Sequence, residues 1–171
     1  LPVYLVPTLS AVAHGGTIEV IGDEAHHAVT VRRSRVGEVI TLTDGRGGRA
    51  TGRIETVGKR AMSVRVQNVT RHSEPTPAIW VVQAIPKGDR GERAVEVLTE
   101  VGVARIIPWA ADRSVGQWRG ERAAKSLEKW RATARESSKQ ARRTWAAEVT
   151  PMVHTAALRD VLQGVDQVIV L

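Results

Sequence analysis

The 171 residues are enough for one large domain or two small ones, and a chain this long buries roughly two-thirds of its unfolded surface. Hydrophobic residues at 42% and charged ones at 25% exclude a disordered or low-complexity chain, and zero cysteine excludes disulfides and thiolate metal sites. Lys and Arg number 25 against 18 Asp and Glu, a net charge of +7 that favours polyanionic partners through counterion release.

Twenty of the basic residues are Arg, which suits bidentate phosphate contacts and stacking on bases. A GC-rich genome would also raise Arg over Lys, but it would leave the net charge alone. No apolar run approaches the ~20 residues of a membrane helix; the best, 78–85, is broken by Gln83. The start, Leu-Pro-Val-Tyr, lacks the basic and long apolar regions of a signal peptide. The simplest reading is a cytoplasmic protein.

In chain order, β-type runs are predicted at 3–6, 17–21, 38–43, 50–57 and 62–69, with Asp44-Gly45 as a hairpin turn. One short helix interrupts them: Ala25, Ala28, Val29 and Arg32 keep helical spacing, with Asp23 as its cap. This pattern predicts a small β-barrel over 1–72. A linker follows at 73–77, where Pro75 and Pro77 cannot continue a strand.

From 78 to 171 the rhythm changes to strand then helix. The run 78–85 predicts a strand buried on both faces. Asp89 to Glu92 predicts a capping box opening a helix whose Ala94, Val97, Leu98 and Val101 share one apolar face, with Gly102 ending it. A strand is predicted at 104–109, a long helix at 121–143, a helix at 156–162 and a last strand at 167–171. Alternation of this kind predicts an α/β domain with a parallel sheet. Three parallel strands would leave an exposed edge, so the sequence is expected to be incomplete.

The long helix carries the charge. Ala123, Leu127, Trp130, Ala134, Ser137 and Ala141 form one apolar stripe, flanked by Arg122, Lys125, Lys129, Arg131, Arg135, Lys139, Arg142 and Arg143. Between Asp112 and Arg143, ten basic residues face four acidic ones. With only Glu121, Glu128 and Glu136 as partners inside the helix, most of these cations are expected to be unpaired and free to meet a polyanion.

Other motifs are weaker. His26-His27 point about 100° apart on a helix and cannot chelate one ion together, so one packed and one exposed His is expected and no metal site. Gly45-Arg46-Gly47-Gly48 lacks the Gly-Lys-Ser/Thr of a P-loop and reads as a turn. Gly88-Asp89-Arg90-Gly91 follows a strand, unlike the KH clamp. Lys87, Arg90 and Asp112-Arg113-Ser114 fall at the carboxyl ends of predicted strands, where α/β sheets collect ligands. No Ser-His-Asp set, carboxylate pair or nucleotide fingerprint can be assembled.

The segment His26-His27-Ala28-Val29-Thr30-Val31-Arg32-Arg33-Ser34-Arg35-Val36-Gly37-Glu38, with Asp44-Gly45, resembles the front domain of the small-subunit (16S) ribosomal RNA uridine-N3 methyltransferases. Gln83 to Arg90, Val95 to Val103, Arg113-Ser114, Lys129-Trp130 and Glu136 to Arg143 are similar to their second domain, collinearly over almost the whole chain. Ala141 replaces a usual Ser and Ile85 a usual Leu. The resemblance implies a PUA-like RNA-binding barrel followed by a SPOUT methyltransferase domain, S-adenosylmethionine as cofactor, a homodimer, and the small ribosomal subunit as partner. It implies RNA contacts from Arg32, Arg33 and Arg35, and an RNA-facing set of Lys87, Arg90, Arg113, Lys139, Gln140, Arg142 and Arg143. The family's Gly-Pro-Glu-Gly-Gly loop and Leu-Arg loop, which form its cofactor-binding knot, have no counterpart in the 171 residues. This stretch alone is therefore expected to bind RNA weakly and not to methylate it. The rival expectations are a non-catalytic ribosomal RNA-binding or assembly factor and a DNA-binding regulator, the latter without helix-turn-helix spacing.

Overall fold

The computed structural model describes residues 1–114 and 116–171. The chain divides into two compact units: Leu1–Pro77 with Ser138–Ala146, and Ala78–Ser137 with Ala147–Leu171.

The first unit is a five-stranded sheet in the order β1-β3-β4-β5-β2, from Val3–Leu5 (β1), Thr17–Ile21 (β2), Val39–Thr43 (β3), Gly48–Val57 (β4) and Ala61–Arg71 (β5). All pairs are antiparallel except β1 with β3. No pairing among the described residues joins β1 to β2, so the expected barrel is an open half-barrel. Strand alternation works as predicted: Ile18 and Val20, Ile40 and Leu42, Ala50 and Ile54, Met62, Val64 and Val66 all turn into one core around Tyr4 and Leu9. Register shifts between Thr51 and Gly52 and between Ile54 and Thr56 bend the β4–β5 ladder.

The short helix differs from expectation. It runs Gly22–His26 (α1) and continues as a π-helical turn, His27–Val31. Ala25 and Ala28 are buried as the spacing predicts, but Asp23 caps nothing; its carboxylate pairs with Arg60 at 3.0 Å. His26 and His27 are both exposed, so neither is the expected packed histidine.

The second unit is a parallel sheet. Its strands are Trp80–Ala84 (β6), Arg105–Ala110 (β7), Glu148–Val149 (β8) and Val153–His154 (β9). The central β7 pairs with β6 on one side and with β8 and β9 on the other. The expected third strand at 167–171 is absent; that tail is exposed coil, and its place is taken by β8 and β9. β6 is an edge strand, half-buried throughout, which corrects the expectation of burial on both faces.

Between β6 and β7 lies α2, Arg90–Glu100. Gly91, Val95 and Thr99 are its buried residues, with Leu98 against the core, whereas Val97 and Val101 are exposed. The true apolar face is thus rotated from the predicted one, because Gly91 is the contact point for Trp130: a Cβ at Gly91 would lie 2.6 Å from the Trp130 ring. The predicted capping box is also absent. Asp89 makes no cap bond, and Glu92 pairs with Lys129 at 2.9 Å instead. Gly102 ends the helix as expected. It adopts φ 100°, Gly102 N–H donates to Thr99 O and Val103 N–H to Leu98 O, the double bond of a Schellman cap.

The long helix α3 spans Glu121–Gln140, three residues shorter than predicted. Trp130, Ala134 and Ser137 of its stripe are buried, and Trp118 meets Trp130 edge-on at 4.9 Å. Ala141 lies beyond the helix and is exposed. The predicted helix at 156–162 is a 3-10 turn, Thr155–Ala157, leading into α4, Leu158–Val161.

Candidate nucleic-acid interface

Arg32, Arg33 and Arg35 follow the π-helical turn and are all exposed. Between them Ser34 is buried, its hydroxyl hydrogen-bonded to that of Tyr4 at 3.3 Å inside the core. Ser34 N–H donates to Ala28 O, and Arg33 sits at φ 54°, the left-handed region that an L-residue enters at a cost. One inward serine thus splays three guanidinium groups outward on a fixed backbone.

The end of α3 repeats the device. Arg142 is at φ 54°, its N–H donates to Lys139 O, and Arg143 N–H donates to Ser138 O, a Schellman cap with Arg where Gly is usual. Arg33 and Arg142 are the non-glycine residues at positive φ among those described. Lys139 does not face outward: its side chain is 9% exposed, and its ammonium reaches the Glu24 carboxylate of α1 at 2.9 Å. The other Glu24 oxygen accepts the Leu5 N–H at 3.2 Å. Lys139, one of the residues the resemblance placed toward RNA, therefore ties this segment to α1. Gln140 and Arg142 are exposed; Arg143 is half-buried, and that burial pulls its guanidinium below the ordinary arginine value.

After Arg143 the chain is clipped to the β3–β4 turn. Gly47 N–H donates to Thr144 O, Ala146 N–H donates to Gly45 O, and Trp145 bridges Arg46. The Trp145 indole N–H donates to His72 O at 2.9 Å. A Cβ on Gly47, which has φ 88°, would strike His72 O and come within 2.8 Å of the Trp145 indole nitrogen, so this turn takes only glycine.

Asp44 holds the turn from below. It accepts N–H bonds from Arg46 and Gly48 at 2.9 Å and from Leu9 at 3.1 Å. Burial alone would raise its carboxyl, but these three bonds and the Arg71 charge outweigh burial and hold it below the usual carboxylate value. The sequence marked Asp44-Gly45 as a turn; nothing in it marked residues 144–146 as the turn's partner.

The basic helix is less free than its sequence implies. Lys129 pairs with Glu92, Arg135 and Arg131 with Glu128, and Lys139 with Glu24. Four of the ten basic residues between Asp112 and Arg143 are thus paired, and two of the three acids concerned come from other elements. Arg113, Arg119, Arg122 and Lys125 are exposed and make no ion pair among the described residues.

At the carboxyl ends of β6 and β7, Lys87, Arg90 and Arg113 stand exposed, and the parallel register that pairs Ala84 with Trp109 brings their loops to one sheet edge. Ser114 is turned inward: its hydroxyl donates to Ala111 O and to Gly116 O. Gly116 packs against the carbonyls of Ile85 and Pro86. Lys87, Asp89, Arg90, Asp112 and Arg113 at this edge are exposed and charged, whereas a site for an adenosyl cofactor is enclosed and mostly apolar. These five exposed residues do not by themselves form such an enclosure. The described residues contain no group of three or more His, Cys, Asp or Glu placed to hold a metal ion.

Residues 72–171 match the family profile of an RNA methyltransferase domain, and residues 20–67 that of an RNA methyltransferase PUA domain. The chain belongs to this family. Ribosomal RNA small subunit methyltransferase E of Mycobacterium bovis is 40% identical over 146 residues, covering 84% of this chain and 55% of the relative. Its namesake in Bacillus subtilis is 28% identical and covers 98% of this chain and 66% of its own length. The crystal structure of the Neisseria gonorrhoeae enzyme of that name, bound to S-adenosyl methionine, superposes with a TM-score of 0.82 at 27% identity, over 96% of this chain and 66% of that one. A Legionella pneumophila methyltransferase in complex with the same cofactor gives a TM-score of 0.79 at 27% identity, over 89% of this chain and 62% of that one. The chain spans between about half and two-thirds of the length of these family members.

Proposed function

We propose that this chain is part of an enzyme that methylates N3 of a uridine in 16S ribosomal RNA on the assembled small subunit. Residues 1–72 would serve as a PUA-like RNA-binding domain, and 78–171 as part of a SPOUT methyltransferase domain acting as a homodimer in the cytoplasm. The observation that carries the reading is the collinear match of both halves to RNA methyltransferase domains, at 40% identity to a ribosomal RNA methyltransferase. Support from composition is the net +7, and no helix among the described residues is long and apolar enough to cross a membrane.

In this reading Arg32, Arg33, Arg35 and Arg142 grip phosphates, and Lys87, Arg90, Arg113, Gln140 and Arg143 are further RNA contacts. N3 lies on the Watson–Crick edge, so the target uridine must be unpaired or flipped before it is modified. N3 must also lose its proton, which a base or a neighbouring cation would assist. S-adenosylmethionine would supply the methyl group, as in the relatives solved with it.

The test is nucleoside mass spectrometry of small subunits lacking the modification, after incubation with the complete enzyme and S-adenosylmethionine. N3-methyluridine in the 16S RNA is expected. Binding to the subunit without any methylated uridine would replace this reading with that of a non-catalytic assembly factor.

A further inference from the structure

The outer face of the β4–β5 ladder carries an open groove of about 240 Å³, lined by Arg49, Thr51, Asn68, Thr70 and His72. The ladder sets this lining. Arg49 pairs with Thr70 and Thr51 with Asn68, so four of the five residues form two adjacent cross-strand pairs on one face. The register shift beside Thr51 leaves Gln67 unpaired, which brings Asn68 to the outer face while Val66 and Val69 turn to the core.

The groove's chemistry is one-sided. It contains a guanidinium, an amide, two hydroxyls and an imidazole, and no carboxylate. On the same face Arg65 is occupied by Glu55 at 2.8 Å and by Gly15 O, and Arg53 donates to Gly37 O. The Arg49 guanidinium has no hydrogen-bond or ion-pair partner among the described residues. The rim is fixed: His72 N–H donates to Gly47 O, its carbonyl accepts the Trp145 indole, and its ring nitrogen Nε2 lies 3.1 Å from the Thr70 hydroxyl.

A volume of 240 Å³ is below the roughly 300–1,000 Å³ of sites that enclose a whole small molecule. It suits one unit of a longer ligand. We propose that this groove is a ribonucleotide subsite, in which Arg49 takes a phosphate of single-stranded RNA while Asn68, Thr51 and Thr70 bind its sugar or base edge. This rests on the RNA reading above, and it adds a contact surface that the arginine loop does not include. Amide and hydroxyl groups can both donate to and accept from a 2′-hydroxyl, and an imidazole offers a stacking face.

The test is fluorescence anisotropy of the 171-residue chain with a labelled ten-nucleotide single-stranded RNA, and with DNA of the same sequence, across a salt series. Arg49→Gln should weaken RNA binding about tenfold and reduce the salt slope of log K by about 0.7, the share of one phosphate. Arg49→Lys should keep the slope. Asn68→Ala should weaken RNA more than DNA and leave the slope unchanged. Binding by the parent chain that Arg49→Gln leaves intact in affinity and slope would overturn the subsite alone. Equal losses on DNA and RNA in Asn68→Ala would overturn its ribonucleotide assignment. A parent chain that binds no RNA would instead remove the RNA reading itself.

Discussion

Arg33 and Arg142 sit at φ 54°, where an L-residue costs about 1 kcal/mol over glycine. Both follow a helical end, and both are exposed. If their side chains serve RNA, Arg→Gly at either position should leave stability equal or raise it by up to about 1 kcal/mol while weakening RNA binding. Urea unfolding and an RNA titration on the same variants check both halves. A lower stability with unchanged binding would assign the arginines to the fold.

Tyr4 and Asp44 are residues of the opposite kind, buried and polar, each holding up a loop. Tyr4→Phe removes the bond to Ser34 and should cost about 1 kcal/mol, read by urea unfolding. Asp44→Ala strands the N–H groups of Leu9, Arg46 and Gly48 and should cost about 3 kcal/mol in the same measurement. Because the folded Asp44 carboxyl lies below its unfolded value near ~3.9, its contribution is complete above that value and is lost as pH falls through the folded one. The gap in stability between the parent chain and Asp44→Ala should therefore narrow in acid, below about pH 4.

Among the elements, α3 binds the most consequences together. Trp130 is buried against Gly91, and Trp130→Ala should cost about 3–5 kcal/mol of unfolding free energy, read by urea unfolding. Most of the apolar stripe that buries Trp130 was legible from spacing alone. The stop at Gln140 was not, because Ala141-Arg142-Arg143 has good helix propensity and only the left-handed turn at Arg142 ends it. The strands of the first unit were readable because one face is apolar and the other polar, so period two survives in the sequence. The short β8 and β9 were not, since two residues carry no period. The faces of α2 were misassigned for a related reason: Val97 and Val101 are apolar but exposed, while glycine and threonine are buried. Glu92 and Glu24 reach the basic helix from distant sequence, so no count of acids inside α3 could have foreseen its ion pairs.

At the scale of the whole molecule, the net +7 is not spread evenly. Part of the basic helix is neutralised by its own acids and those of its neighbours, while Arg32, Arg33, Arg35 and Arg142 stay exposed on backbone fixed by the core and the caps. The role proposed for this arginine loop is to grip ribosomal RNA. The most direct measurement is the salt dependence of binding to 16S ribosomal RNA and to duplex DNA of matched length, for the parent chain and for the triple variant Arg32→Gln, Arg33→Gln, Arg35→Gln. Preference for the RNA is expected, with a salt slope smaller by about 2 in the variant, three phosphate contacts at roughly 0.7 each. Equal affinity for the duplex DNA, or an unchanged slope in the triple variant, would contradict it.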